Sequence, residues 1–546
     1  MTTEVTEAAV DAAAAERALA PRDGLVLERA DGPGSFRAVE GPFRDYRRLV
    51  ELAPHPGDGA VGPRRLRQTV EYELAIPWFG WLFRRPVRRH LAKLEPAPRW
   101  PWWSPPERIS AQAAATLAAL CLLSMVTGYL GTILTQTITF AAREFGADKS
   151  AQGVALAAVR ADVVIAVGLV WLADRRGRRS VLLWTTALGC LITATGALTP
   201  SLPWLTASQV AARGFVTAAA IMLAIVAAEE MAAGSRAYAV SLLGMSAAFG
   251  AGLCVFLLRF ADAGVAAWRL LFAAALAGVP ITASVARRLP ESRRFSALHP
   301  GGAPAPPSSP SRGPQPGPAP SALHPGGAAA PPSSPGQARR NHARRFWLLA
   351  ASAFLLNLFF APASQFGNEY LRTERGFSAG DISLFTILTG TPGAIGVIVG
   401  GRLAERGRRF VGAVSVAGGV GATVLSYLTH GWPVWAWSAV GSVIGAAAVP
   451  ALGVYGPELF PTSMRGKANG IITTLGRGGG VIGLLAAGEL STRIGSLGPA
   501  LAVLAIGPAV LAVLVLVAYP ETAHRELEDL NPEDARPAND PSSPSP

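Results

Sequence analysis

Residues 172–179 read Leu-Ala-Asp-Arg-Arg-Gly-Arg-Arg, and residues 403–409 read Leu-Ala-Glu-Arg-Gly-Arg-Arg. Each stretch closes an apolar run of about 20 residues, the length that crosses the hydrocarbon core of a bilayer. Arg178 and Arg408 stand 230 positions apart. Two further matches keep the register. Glu229 with Arg236 is echoed by Glu458 with Arg465, 229 positions on, and Pro290-Glu291-Ser292 is echoed by Pro520-Glu521-Thr522, 230 positions on. One match would be weak, but three in register mark a duplication. Each copy carries six apolar runs, an even number that returns the chain to the side where it began. The copies are therefore expected to be parallel repeats about an axis along the membrane normal.

The runs are predicted as helices over 111–134, 151–172, 180–199, 204–228, 238–259 and 268–289, then 346–366, 379–403, 410–429, 432–454, 468–489 and 497–519. Bulk composition agrees: of 546 residues, half are apolar and 16% charged, with a mean hydropathy of +0.33, against about 25% charged in soluble domains. The fold class expected is all-α integral membrane, twelve transmembrane helices with a cytoplasmic N-terminal extension. The net charge of +13 gathers in loops between runs, after the second (Arg175, Arg176, Arg178, Arg179), the sixth (Arg287, Arg288, Arg293, Arg294) and the eighth (Arg402, Arg406, Arg408, Arg409). That is how membrane proteins set orientation, so both termini are expected in the cytoplasm of a multi-pass plasma-membrane protein. It gives no reason to expect nucleic acid.

The residues also argue against several kinds of chemistry. The three Cys lie inside apolar runs without metal-ligand spacing, and the seven His all fall outside the run cores. Neither a metal site, a Ser–His hydrolase nor another enzyme is expected. Lys467 is followed by Ala468, so it does not complete a phosphate-binding loop, and no cofactor is implied.

Outside the runs the chain divides into 1–107, 108–295, 296–345, 346–520 and 521–546. The first 21 residues are acidic and Ala-rich, unlike a cleavable leader. Within 1–107, Gly34–Val50 and Arg65–Ile76 alternate β-formers, and this part faintly resembles the C-terminal end of a START or polyketide-cyclase-like domain. Residues 78–103 interleave aromatics with cations (Trp78, Trp81, Arg84, Arg85, Arg88, Arg89, Lys93, Trp100, Trp102, Trp103), a composition suited to an anionic inner leaflet. Between the halves, Ser-Ala-Leu-His-Pro-Gly-Gly-Ala recurs at 296 and 321 in a Pro/Ser/Gly-rich stretch too poor in apolar residues to fold, a tether.

Together these motifs resemble the major facilitator superfamily. Its loop between helices 2 and 3 appears as Val170-Trp-Leu-Ala-Asp174-Arg175-Arg-Gly177-Arg178-Arg179, with Val170 in a glycine position. Pro457-Glu458-Leu-Phe-Pro461-Thr-Ser-Met-Arg465-Gly466 and Pro520-Glu521-Thr522 look like those of the sugar-porter and metabolite–proton symporter branches. The likeness covers about 108–530. It departs from sugar porters in lacking their Gln-Leu-Ser in helix 7, and from many relatives in lacking an acidic residue in helix 1. By resemblance, Asp174, Arg175, Gly177 and Arg178, with Glu405, Arg406 and Arg408 in the second copy, form a conformational latch. Glu229/Arg236 and Glu458/Arg465 would add ion pairs made and broken as the halves rock.

Inside the runs, each central charge costs about 2.5–3.5 kcal/mol to insert, so it is expected to face a partner or a wet cavity. Arg160 and Asp162 in the second run lie two residues apart and do not share a face. This leaves Arg213 in the fourth run, or Arg160, as Asp162's partner, either at a coupling site or in a static pair. Gln136, Asn357, Gln365, Asn368 and Arg477 are the other candidates for solute or coupling contacts, with 357, 365 and 368 on one helical face. Glu369 is expected at the cavity mouth. The expected function is alternating-access transport of a small organic solute, secondary active or facilitative, with protons the candidate coupling ion. A sugar-like or carboxylate metabolite leads and the intramembrane arginines favour an anion. The alternatives are an amphipathic-drug exporter of this fold and a non-transporting sensor acting through 1–107.

Overall fold

The computed structural model describes residues 1–53, 64–94, 101, 103–105, 107–231, 235–289, 335–404 and 406–522. The tether's repeated segments and the tail after Thr522 fall outside these residues, as does Pro290-Glu291-Ser292.

The chain opens on a five-stranded antiparallel sheet: β1 (Thr2–Val10), β2 (Leu27–Gly32), β3 (Ser35–Glu40), β4 (Phe43–Ala53) and β5 (Arg64–Leu74), ordered β1-β5-β4-β3-β2. Helix α1 (Ala12–Ala18) follows β1, and α2 (Gly80–Leu91) follows β5. Only part of this sheet shows in the residue pattern. β4 and β5 place Tyr46, Val50, Leu66, Val70 and Tyr72 in the core, joined by Val87 and Leu91 of α2. β1 is an edge strand on which no residue is buried, so it leaves no apolar alternation to read.

Among the described residues, twelve helices are long and apolar enough to cross a membrane: α3 (Ala111–Glu144), α4 (Lys149–Ala173), α5 (Arg178–Leu198), α6 (Leu202–Ala227), α7 (Tyr238–Ala263), α8 (Arg269–Ala286), α9 (Arg340–Gln365), α10 (Ala379–Ala404), α11 (Arg408–Leu428), α12 (Trp432–Leu452), α13 (Lys467–Ile494) and α14 (Leu497–Ala518). All twelve predicted runs are present. α3 extends ten residues past its expected end, to Glu144. α4 is not one smooth helix, since a 3-10 turn at Val159–Ala161 breaks it between Arg160 and Asp162. α10 is interrupted between Gly390 and Gly393, where Pro392 has no N–H to continue the ladder.

The chain forms two compact units. The first comprises Met1–Leu134, Ala161–Leu257 and Arg269–Leu298. Its core packs Leu120, Leu123, Val181, Leu182, Ala219 and Met222. The sheet is fastened to this core by Ile76, Trp78 and Phe79, with Arg288 over the Trp78 ring. Trp78 adopts a φ of 60°, a left-handed conformation unusual for a bulky side chain, at the bend from sheet to helix. Arg108 pairs with Asp23, Tyr238 donates to the Trp103 carbonyl at 3.0 Å, and Glu107 N–H donates to Ser235 at 3.1 Å.

The second unit comprises Thr135–Arg160, Leu258–Trp268 and His299–Pro546. It therefore takes the last turns of α3, the first segment of α4 and the α7–α8 connection along with α9–α14. The duplication is visible inside each unit as one close crossing. In the first, α7 presses so tightly on α3 that a Cβ on Gly250 would overlap the Met125 carbonyl oxygen. In the second, α13 presses on α9 so that a Cβ on Gly479 would overlap that of Phe354. Both members of the pair shift by the same 229 positions.

Candidate functional site

At the ends of the helices that carry the repeated motif, the two copies build the same joint. In the first unit Gly177 takes a φ of +98° and turns the chain from α4 into α5. Arg178 donates to the Glu229 carboxylate, while Arg179 Nη2 donates to the Ala286 carbonyl at 2.7 Å, at the C-terminal end of α8. In the second unit Arg408 donates to Glu458, and Arg409 donates to the Leu516 carbonyl near the end of α14. Cations there meet the negative ends of helix dipoles. In the second copy, Glu521 oxygens accept the Arg408 and Arg409 backbone N–H groups at 3.1 and 3.3 Å, and Thr522 accepts from Arg408 at 2.8 Å; the corresponding Glu291 and Ser292 of the first copy lie outside the described residues. Glu521 thus caps α11, a role that its place in the repeat signalled without disclosing.

Arg175 lies over the Trp171 ring at 3.7 Å, and Arg406 is exposed. The side chains of Asp174, Arg236 and Arg465, and all of Glu405, lie outside the described residues. The carboxylates expected to meet Arg236 and Arg465 are found holding Arg178 and Arg408, so the described pairs run across helices to the motif loop.

In the first unit, Asp162 is buried at the start of α4's second segment and accepts from Thr217 Oγ1 of α6 at 2.7 Å. Arg213, also on α6, donates to the Gly131 carbonyl of α3. In the second unit, Arg160 lies beside Gly480, whose added Cβ would stand 3.8 Å from the guanidinium carbon. Asn357 donates to its own helix at Ala353, 2.9 Å, while Arg477 is half-buried on α13.

The second unit holds an open-sided cavity of about 1000 Å³ among α9, α10, α11, α12, α14 and the ends of α3 and α13. Gln136 and Asn368 line it; Gln365 and Asn357 do not. Most of the wall is apolar, and its remaining polar lining is hydroxyl and amide: Ser352, Ser364, Tyr370, Thr386, Thr389, Ser415, Thr423, Ser426, Tyr427, Ser438, Ser442, Asn469 and Tyr519. Among the described residues, its lining includes no Asp, Glu, Lys, Arg or His. Thr386, Thr389, Thr423 and Ser352 each donate to a carbonyl one helical turn back, and Tyr427 donates to Ala363 O at 2.6 Å. Their hydroxyl protons are thereby engaged and their lone pairs remain as acceptors.

At one end of this cavity the α3–α4 hairpin is tied to the segment after α9. Asn368 Nδ2 donates to the Gln136 carbonyl and side-chain oxygens at 3.0 and 2.9 Å, and Thr135 donates to Gln365 at 2.6 Å. Lys149, at the start of α4, pairs with Glu374 at 2.8 Å. Glu374 also accepts from Ser496 Oγ and Leu497 N–H, at 2.8 and 2.7 Å. Burial pushes the Glu374 carboxyl up, but Lys149 and these donors outweigh it and hold it below its ordinary value. Asp262 closes the same end, accepting from the Ala379 and Gly380 N–H groups at the start of α10 and from Arg372 at 3.0 Å. Glu369, expected at the mouth, is buried at 5% exposure. Residues 366–374 continue α9 as a short helix and a π-turn, which buries Asn368, Glu369 and Tyr370 in the unit.

Twelve spans with one crossing and one Arg–Glu joint repeated in each half decide the architecture. The chain carries the major facilitator fold. Residues 346–541 match the sequence model of the Major Facilitator Superfamily, which bears out the resemblance read from the motifs. Three solved transporters share the fold. They are the xylose transporter XylE from E. coli (14% identity, TM-score 0.58, 77% of this chain and 99% of that one), the nucleoside transporter NupG (12%, 0.55, 74% and 100%), and a bacterial homologue of the human lysosomal transporter Spinster (15%, 0.56, 74% and 95%). A search of curated protein sequences returns no match.

Proposed function

We propose that the chain is a secondary transporter that moves a small, uncharged, hydroxyl-bearing solute by alternating access of its two six-helix halves. The observation that carries the reading is the cavity of about 1000 Å³, whose mostly apolar wall (Leu349, Phe359, Phe360 and Phe385 among others) is studded with hydroxyls and amides and carries no charged side chain among the described residues. A buried carboxylate or ammonium without a counter-charge costs several kcal/mol, so this lining disfavours an ionic solute. Acceptor hydroxyls with the Asn368, Asn469 and Gln136 amides suit a sugar-like polyol, whose hydroxyls both donate and accept. XylE and NupG are named for xylose and nucleoside transport, which agrees with a polyhydroxylated class. The solute preference thereby moves away from the anion suggested by the intramembrane arginines.

Positive charge at the motif loops supports placing these loops and both termini in the cytoplasm of the plasma membrane. On that side, α2 presents Trp81, 70% exposed, and Leu82 beside Arg84, Arg85, Arg88 and Arg89, which favours contact with an anionic leaflet. Residues 95–100 and 102 of this basic-aromatic stretch lie outside those described. The contact is read by a bimane label at Trp81→Cys, expected to shift to the blue in anionic nanodiscs and not in neutral ones.

The transport reading is tested by uptake into vesicles holding the purified full chain, using labelled pentoses, hexoses and nucleosides beside carboxylates and lipophilic cations. Saturable uptake of a neutral polyol, competed by its congeners, is the expected result. Uptake confined to an anion or a lipophilic cation overturns it.

A further inference from the structure

In the α3–α4–α9 junction, Glu369 is a buried carboxyl group that no cation contacts among the described residues. Charged groups on the packed elements are exposed, as Arg143 of α3 is, or committed elsewhere: Asp148 to the Ala151 N–H, Lys149 of α4 to Glu374, Glu374 to Lys149, Ser496 and Leu497, Arg372 to Asp262, Arg375 to the Tyr370 hydroxyl and Tyr427 carbonyl, Glu144 of α3 to the Trp268 indole, and Glu489 of α13 to Arg493. What faces Glu369 is neutral, namely the Gln152 amide of α4, the Thr139 hydroxyl of α3 and the Thr373 hydroxyl, with Lys149 farther off. Gln152 Oε1 and Thr139 Oγ1 are both buried and accept from no donor. A carboxylic O–H is the donor that these acceptors lack, and turning over the Gln152 amide would present its oxygen to it.

We propose that Glu369 is a proton-binding site that couples the α3–α4 hairpin to its seat on α9 and α13. With a proton on the carboxyl, the group is neutral, donates to Gln152 or Thr139, and is stable in the closed junction. When the proton leaves to water, a buried carboxylate remains with no cation in contact, and the hairpin lifts to hydrate it. Glu369 adjoins Asn368, which lines the cavity and holds Gln136, so the proton and the solute act on one three-residue segment, Gly367–Glu369. Burial pushes the Glu369 carboxyl above its ordinary value, and the flanking donors and Lys149 only reduce that rise. The sign follows: the closed junction binds more protons than the open one, so acid favours closure. That preference is lost as pH rises through the raised value.

This inference rests on the transporter reading and supplies its coupling ion, yet its test needs no solute. In the full chain with Cys121, Cys190 and Cys254 replaced by Ala, spin labels at Arg143→Cys on α3 and Arg493→Cys on α13 report the junction by pulsed dipolar spectroscopy in nanodiscs. From pH 5 to 9 the distance distribution is expected to move from short to long, with a midpoint above the ordinary carboxylate range, about 4.3. Glu369→Gln, neutral at every pH, is expected to stay short throughout. Gln152→Leu, which removes a donor to the carboxylate, is expected to move the midpoint to higher pH. A pH-invariant parent, or an unchanged shift in Glu369→Gln, overturns the proposal. Solute uptake persisting in either case would leave the transporter reading standing, whereas an intact pH shift without uptake of any solute would sink that reading alone.

Discussion

Glu28 in the sheet module and Glu369 beside α9 are both buried, and their surroundings could hardly differ more. Glu28 receives Arg48 through Nη2 at 2.6 Å and Nε at 2.9 Å, the Tyr46 hydroxyl at 2.5 Å and the Arg22 backbone N–H at 2.9 Å. The Arg48 and Glu28 side chains are wholly shielded from water. Arg48 also donates to the Ala18 and Ala20 carbonyls, and Arg22 to Gln68. Glu369 has only neutral groups in contact. A buried carboxylate with its cation built in is a fixture, because removing either partner strands the other in low dielectric. One that meets only neutral donors is stable mainly in its protonated form, which makes it responsive to pH.

The comparison can be broken first at Glu28. Glu28→Gln is expected to destabilise the sheet module by about 3–5 kcal/mol, since it strands Arg48. Thermal unfolding and protease sensitivity of the full chain read this, and a loss under about 1 kcal/mol would mean that the pair is no fixture. Glu374, five residues from Glu369, sharpens the contrast. Glu374→Gln is expected to loosen the junction by about 1.5–3 kcal/mol through the loss of charged hydrogen bonds, seen as a longer α3–α13 distance at neutral pH.

Glu374 is held below its ordinary value, so its contribution is present above that value and disappears as pH falls through the lowered one. Glu369 acts in the opposite sense. Closure of the junction is thus expected to strengthen from neutral pH into mild acid, then to weaken once Glu374 takes up its proton. A monotonic titration of the spin-label distance down to the acid limit would break the contrast. The smallest effect is expected at the second motif joint. Thr522→Ala, which removes one acceptor of Arg408, should cost about 1 kcal/mol. A melting temperature equal to the parent's would show that this bond contributes nothing.

Legibility in the sequence followed the range of the interaction. The twelve spans were readable because hydrocarbon demands long, nearly uncharged runs, and the duplication because Arg178, Glu229 and their echoes at 408 and 458 keep register. Candidate residues were readable as types. Gln136 and Asn368 were picked as polar groups on apolar helices, and both line the cavity, while Gln365 and Asn357 were picked by the same rule and do not. Periodicity along one helix shows which side chains share a face and says nothing of what that face meets. The break at Val159–Ala161 likewise left no mark in hydropathy, yet it separates Arg160 from Asp162 and assigns them to different units.

By itself the chain's residue order determined twelve crossings, their division into two copies and the concentration of cations at the motif loops, because transfer into lipid is priced residue by residue. Only the tertiary structure decided which carboxylates found cations, that β1 joins the sheet as an edge strand, and that the cavity lining is uncharged among the described residues. Those outcomes depend on groups hundreds of positions apart, such as Gln136 and Asn368 or Lys149 and Glu374, whose meeting no local pattern encodes.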